Sequence, residues 1–255
     1  MTVPAAPSPA VGRSVSGVPA GVYCALDTVD LDRATTLARL VAPHVTGLKI
    51  GLEFFLAHGA AGYRAIADQA ERTGLAIFLD LKLHDIPNTV AGALRAVVPL
   101  APRLITLHTS GGPAMMTRAV EDAVNDAEKA GVVRPALIGV TVLTSLDAHD
   151  LAAVGQGADP QAQVLRLAGL AQASGLDGVV CSPAEIAAIR AATDPDFALV
   201  VPGLRPGGVV AGDQKRVMTP RAAHDLGATV LVVGRAITAA ADPAAAAASI
   251  AGSLA

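Results

Sequence analysis

The run Phe78-Leu79-Asp80-Leu81-Lys82-Leu83-His84-Asp85 places one lysine between two aspartates in an otherwise apolar segment. Charges are costly to bury unless they are paired, so such a placement calls for a purpose. On a strand, Asp80 and Lys82 share a face, because side chains alternate with a period of two. Asp85 falls just past the expected strand end and is expected to curl back towards them. Such a cluster holds the lysine charged by attraction and sets the carboxylates against each other. These are the parts of a reaction centre.

The other lysines sharpen this reading. The chain has four: Lys49, Lys82, Lys129 and Lys215. Lys129 sits in a polar helical stretch and reads as solvated, whereas Lys49, like Lys82, interrupts an apolar, strand-like run. Surface duty does not account for that placement.

The elements that must position these residues alternate along the chain. Strands are expected at 21–26, 46–50, 76–82, 103–108, 136–142, 177–181, 197–201 and 229–233. Helices are expected near 31–43, 60–73, 88–98, 113–130, 161–174, 184–192 and 219–226, with a last one after 235. Thr219-Pro220 and Asp159-Pro160 each read as a helix cap followed by proline in the first turn. Strands apolar on both faces suit a parallel sheet covered by helices. Eight of them, each followed by a helix, point to a single (β/α)8 TIM barrel over 21–255, with residues 1–20 as a flexible leader. A doubly wound open sheet is the competing architecture. The first strand ends Ala25-Leu26-Asp27 with no GxGxxG after it, which argues against a dinucleotide site of that kind.

A barrel collects its reactive residues at the C-terminal ends of its strands. There the sequence offers Asp27, Lys49, Asp80, Lys82, His108 and Thr141 through Thr144-Ser145. Later ends carry Pro202-Gly203-Leu204-Arg205 and Gly234-Arg235. The last two positions suit a phosphate, which barrels often hold with the loops after strands seven and eight. The glycine-rich, polar segment 203–217, with Gln214 at its centre, reads as a lid. His84 alternates away from the Asp80–Lys82 face and reads as packing, while His108 is open between structural and functional roles.

Composition excludes several classes. Lysine plus arginine number 19 against 22 acidic residues, a formal charge of −3, with no Trp and two Tyr. Nucleic-acid binding lacks both a basic stripe and stacking platforms. No run is long and apolar enough to span a membrane. Cys24 and Cys181 fall in apolar runs and read as buried free thiols of a reducing compartment, so a cytoplasmic location is expected. No HxH or HExxH spacing supports a metal site.

Taken together, several segments resemble the orotidine 5'-phosphate decarboxylase family. They are Ala25-Leu26-Asp27, Leu48-Lys49-Ile50-Gly51, Phe78 through Thr89, His108-Thr109-Ser110-Gly111-Gly112, Gly139 through Ser145, Val201 through Pro206, Gly212 through Pro220, and Val233-Gly234-Arg235. Related barrels acting on sugar phosphates share the Asp-x-Lys-x-x-Asp core, but the Leu-Thr-Ser, Pro-Gly-x-Arg and Gly-Asp-Gln segments separate the two. The resemblance implies a dimeric barrel without metal or cofactor that converts orotidine 5'-monophosphate to uridine 5'-monophosphate and carbon dioxide, the last step of de novo UMP synthesis. It implies direct decarboxylation, with Lys82 protonating ring carbon six beside Asp80. Asp27 and Lys49 would contact ribose hydroxyls and join the charged network, and Thr144 would recognise the pyrimidine. Asp85 and Thr89 would reach across a homodimer interface into the neighbouring site. Pro202, Arg205, Gln214, Gly234 and Arg235 would hold the phosphate end. Competing functions are a magnesium-dependent sugar-phosphate enzyme, a Schiff-base aldolase and a non-catalytic nucleotide-binding protein.

Overall fold

The computed structural model describes residues 17–206 and 218–254. Eight parallel strands close on themselves in sequence order, so the closed barrel prevails over the open sheet. They are β1 (Gly21–Ala25), β2 (Gly47–Gly51), β3 (Ala76–Leu83), β4 (Leu104–His108), β5 (Ala136–Val140), β6 (Gly178–Val180), β7 (Ala198–Val201) and β8 (Val230–Val233). Closure is made by β8 pairing with β1, with Val230 opposite Gly21 and Val233 opposite Cys24.

Strict alternation divides the apolar residues into two layers. Val22, Cys24, Ile77, Leu79, Ile105, Leu137, Leu199 and Leu231 belong to the layer between barrel and helices. Tyr23, Ala25, Ala76, Phe78, Leu104, Ala136, Ile138, Ala198, Val200, Val230 and Val232 fill the interior. Two aromatic rings can enter so narrow a barrel because their neighbours are small. Tyr23 meets Phe78 edge to face at 6.4 Å. A Cβ at Gly47 would lie 2.3 Å from the Tyr23 ring.

The helices form the outer ring: α1 (Leu31–Val41), α2 (Leu52–Glu71), α3 (Pro87–Val97), α4 (Pro113–Ala130), α5 (Ala148–Ala153), α6 (Pro160–Ala173), α7 (Ile186–Ala192), α8 (Pro220–Asp225), α9 (Arg235–Thr238) and α10 (Pro243–Gly252). The expected caps form: Asp159 accepts from the Gln161 and Ala162 amides, and Thr219 accepts from the Ala222 amide. The helices differ from expectation in three places, one being that the single helix expected after 235 is two, α9 and α10. The helix expected near 60–73 starts earlier, at Leu52, and Gly59 breaks it with φ 56° and ψ −150°. Helix α5 was not expected; it begins at a capping box in which Asp147 and Asp150 satisfy each other's backbone amides.

Of the expected leader, residues 1–16 lie outside the described residues. Val18 is fully buried with the interior cluster, and Arg103 donates to the Gly17 carbonyl. The end of that segment therefore packs on the barrel. Among the described residues no helix is long and apolar enough to cross a membrane.

Candidate active site

The interior faces of β1 to β4 run from apolar to polar towards their C-terminal ends. Tyr23 and Ala25 lead to Asp27, Gly47 leads to Lys49, Phe78 leads to Asp80, and Leu104 leads to Thr106. Register then brings the charges side by side. Ala25 pairs with Lys49, and Gly51 pairs with Asp80.

The result is an alternating line of four charges. Lys49 Nζ lies 3.2 Å from Asp27 Oδ1 and 3.5 Å from Asp80 Oδ2. Lys82 Nζ lies 2.8 Å from each carboxylate oxygen of Asp80. Exposure falls from the rim inwards: the Asp27 side chain is 60% exposed, Lys49 and Asp80 only 11% and 12%. Burial by itself pushes the Asp80 carboxyl up. The charges of Lys49 and Lys82 and the hydrogen bonds from Lys82 and Thr106 outweigh it together and hold Asp80 below the usual carboxylate range.

Lys82 stands out in its backbone too. Its φ is 51°, a left-handed conformation that costs a non-glycine residue roughly 1–2 kcal/mol. The β3–β4 ladder is irregular there, passing from Leu79 opposite Ile105 to Leu83 opposite Leu107. Thr106 Oγ1 accepts the Lys82 N–H at 2.9 Å and donates to Asp80 Oδ1 at 2.9 Å. Sequence reasoning passed over Thr106; its signal was a hydroxyl at an inward position two residues before His108.

The same departure from strand geometry ends the alternation on which the reading of His84 rested. Its ring lies tilted against that of His108, with centroids 5.2 Å apart. Burial, then the charges of His84 and Lys82, push the His108 imidazole pKa down. Asp85 does not curl back towards Lys82 within the chain. Its carboxylate accepts the Ile86 amide at 2.7 Å, immediately before Pro87 opens α3. Asp85 and Thr89 are both exposed and lie outside the cavity that the other residues line.

That cavity, about 380 Å³, sits over the charged line. Asp27, Lys49, Asp80 and Lys82 line it together with Arg205, Gly234 and Arg235. Thr144 and Pro202 also line it, while Val140, Val142, Val180 and Val200 contribute an apolar wall. The structure thus brings together nine of the expected residues. Gln214 and most of the expected lid lie outside the described residues. Cys181 borders the cavity and Cys24 belongs to the layer between barrel and helices; both are buried free thiols, and burial, aided by the Asp27 charge, pushes Cys24 up to about 12. Among the described residues no three His, Cys, Asp or Glu side chains converge as a metal site would need.

Comparison with known proteins adds a second line. The profile of the Orotidine 5'-phosphate decarboxylase / HUMPS family matches residues 21–250. The chain is 52% identical over 229 residues to the orotidine 5'-phosphate decarboxylase of Paramagnetospirillum magneticum, covering 90% of this chain and 96% of that protein. It is 48% identical over 235 residues to that of Thermobifida fusca, covering 92% and 96%. The crystal structure of orotidine 5'-phosphate decarboxylase from Lactobacillus acidophilus superposes with a TM-score of 0.77 at 36% identity, covering 92% of this chain and 99% of that one. With its closed barrel and the charged line at its mouth, the chain belongs to the orotidine 5'-phosphate decarboxylase / HUMPS family.

Proposed function

We propose that this protein converts orotidine 5'-monophosphate to uridine 5'-monophosphate and carbon dioxide, with Lys82 as the acid. The observation that carries the reading is that the Asp27–Lys49–Asp80–Lys82 line shares one cavity with Arg205 and Arg235. A nucleotide needs both ends: a cationic grip for its phosphate and polar chemistry at its ring.

Loss of carbon dioxide breaks the bond between ring carbon six and the carboxylate carbon. The electron pair stays on carbon six, which has no adjacent carbonyl as a sink. The Lys82 ammonium stabilises that charge and then delivers its proton to the same carbon. Asp80 orients the ammonium through two 2.8 Å contacts. The buried Asp80 charge also stands near the position of the substrate's carboxylate, which adds repulsion in the ground state. Asp27 and Lys49 meet the ribose hydroxyls, and Thr144 beside the valine wall receives the pyrimidine. Arg205, Gly234 and Arg235, with Pro202 and Gln214, hold the phosphate, whose binding energy serves the reaction at the remote ring.

The working unit is a homodimer in which Asp85 and Thr89 complete the neighbouring site. Their exposure, beside an Ile86 that is 66% exposed, supports this assignment.

The test follows the ultraviolet absorbance of orotidine 5'-monophosphate with purified protein, with and without EDTA. Conversion to uridine 5'-monophosphate that resists EDTA is expected. Folded protein that leaves the nucleotide unchanged, yet turns over a sugar phosphate with magnesium, would replace this reading.

A further inference from the structure

Resting on that reaction, the structure assigns a role to Thr106 that neither charge nor cavity lining reveals. We propose that Thr106 is a positioning residue, whose hydroxyl ties the Lys82 backbone to the Asp80 carboxylate and thereby sets the lysine ammonium for proton delivery.

Lys82 lacks the support of regular strand pairing. At the irregular step between Leu79 and Leu83 the strand leaves regular pairing with β4, and Lys82 adopts a left-handed φ of 51°. A long side chain on a backbone of that kind is held only where the surroundings over-determine it. Thr106 supplies the restraint from the neighbouring strand. Its Oγ1 accepts the Lys82 N–H and donates to Asp80 Oδ1, both at 2.9 Å, and the residue is fully buried. One hydroxyl thus uses its proton on the carboxylate and its lone pair on the lysine amide.

The direction of the proton matters. A hydroxyl whose lone pair is engaged by an N–H turns its own proton outwards, towards an acceptor. Asp80 as a carboxylate is that acceptor, and in this form it receives Lys82 Nζ as well. Backbone, carboxylate and ammonium therefore form a closed ring of contacts, with Thr106 as the member from another strand. Thr106 does not itself line the cavity, but both of its partners do. Its effect on the reaction passes through Lys82 and Asp80.

Three variants separate this role from simple packing. Thr106→Val keeps the shape without the hydroxyl, Thr106→Ala removes the hydroxyl and leaves space, and Thr106→Ser keeps the hydroxyl. Val and Ala are expected to lower kcat by about 100-fold with KM little changed, as displacement of a reacting group by about 1 Å does. Ser is expected to stay within a few-fold of the parent. The acid limb of the kcat profile should move to higher pH in Val and Ala, because Asp80 loses a donor to its charged form. Hydrogen exchange at the Lys82 amide gives a readout independent of turnover: slow in the parent and Ser, fast in Val and Ala. Should Val not fold, Ala carries the comparison. Unchanged kcat in Val or Ala, or equal losses in Ser, Val and Ala, would overturn the role of Thr106. Parent protein inactive on orotidine 5'-monophosphate would instead overturn the proposed reaction, and amide exchange would still decide whether Thr106 holds Lys82.

Discussion

Lys82 Nζ lies 2.8 Å from both carboxylate oxygens of Asp80, two residues earlier on the same strand, although the backbone between them departs from strand geometry. The pair is not self-sufficient. Lys49 approaches Asp80 from β2, and Thr106 approaches it from β4. Asp80 is therefore the member through which three strands communicate.

Its depressed pKa has a consequence for stability. The stabilising contribution is fully present above the ordinary value of 3.8 and is lost as pH falls from there through the folded-state value. Chemical denaturation of the parent and Asp80→Asn, compared from about pH 6 down to about pH 3, should show a stability difference that shrinks below about pH 4. A difference independent of pH would mean that the Asp80 charge does not support the fold.

Replacing Lys82 by alanine should lower decarboxylation at least about 10⁴-fold, since it removes both the acid and the charge at the developing carbanion. The fold should persist, because Lys49 and Thr106 still contact Asp80. Turnover of orotidine 5'-monophosphate together with a circular-dichroism melt checks both halves. Activity near that of the parent would remove Lys82 from its role.

Arg235→Ala should reduce kcat/KM for the phosphorylated substrate by about 100-fold, the loss of charge-assisted hydrogen bonds to phosphate. Activity on the nucleoside lacking phosphate should barely change. Equal losses on the two substrates would show that Arg235 acts elsewhere than at the phosphate.

If Asp85 serves the neighbouring site, Asp85→Ala and Lys82→Ala chains should complement each other. Each is expected to be nearly inactive alone. After subunit exchange, mixed dimers contain one intact site, so a 1:1 mixture should recover about a quarter of parental activity. No recovery, with exchange demonstrated, would place Asp85 outside a shared site.

Inside the barrel, Gly178 marks a close approach of backbones. A Cβ there would lie 2.3 Å from the Ala198 carbonyl oxygen, a position that cannot yield without moving β7. Gly178→Ala should therefore destabilise the protein by about 1–3 kcal/mol in denaturant titration. An unchanged midpoint would contradict the tight β6–β7 contact.

Much of this architecture was legible because one periodicity carried it. Runs such as Ala136–Val140 and Val230–Val233 are apolar on both faces, which only a covered parallel strand requires, and their spacing left room for a helix in each interval. Asp80, Lys82, Lys49 and Asp27 were legible because charge in apolar strands has few structural explanations. Helix α5 was missed because six residues are too few to show a helical period, and the early start of α2 because Gly59 divides its pattern.

By itself, then, the sequence determined which side chains face inwards and that charge gathers at the strand ends, since both follow from local period and composition. Only the tertiary structure decided what those charges touch. Closing the barrel set the register that places Lys49 between Asp27 and Asp80, and brought Thr106, 24 residues from Lys82 along the chain, against its amide. Such contacts depend on distances between strands, and no spacing within a single strand encodes them.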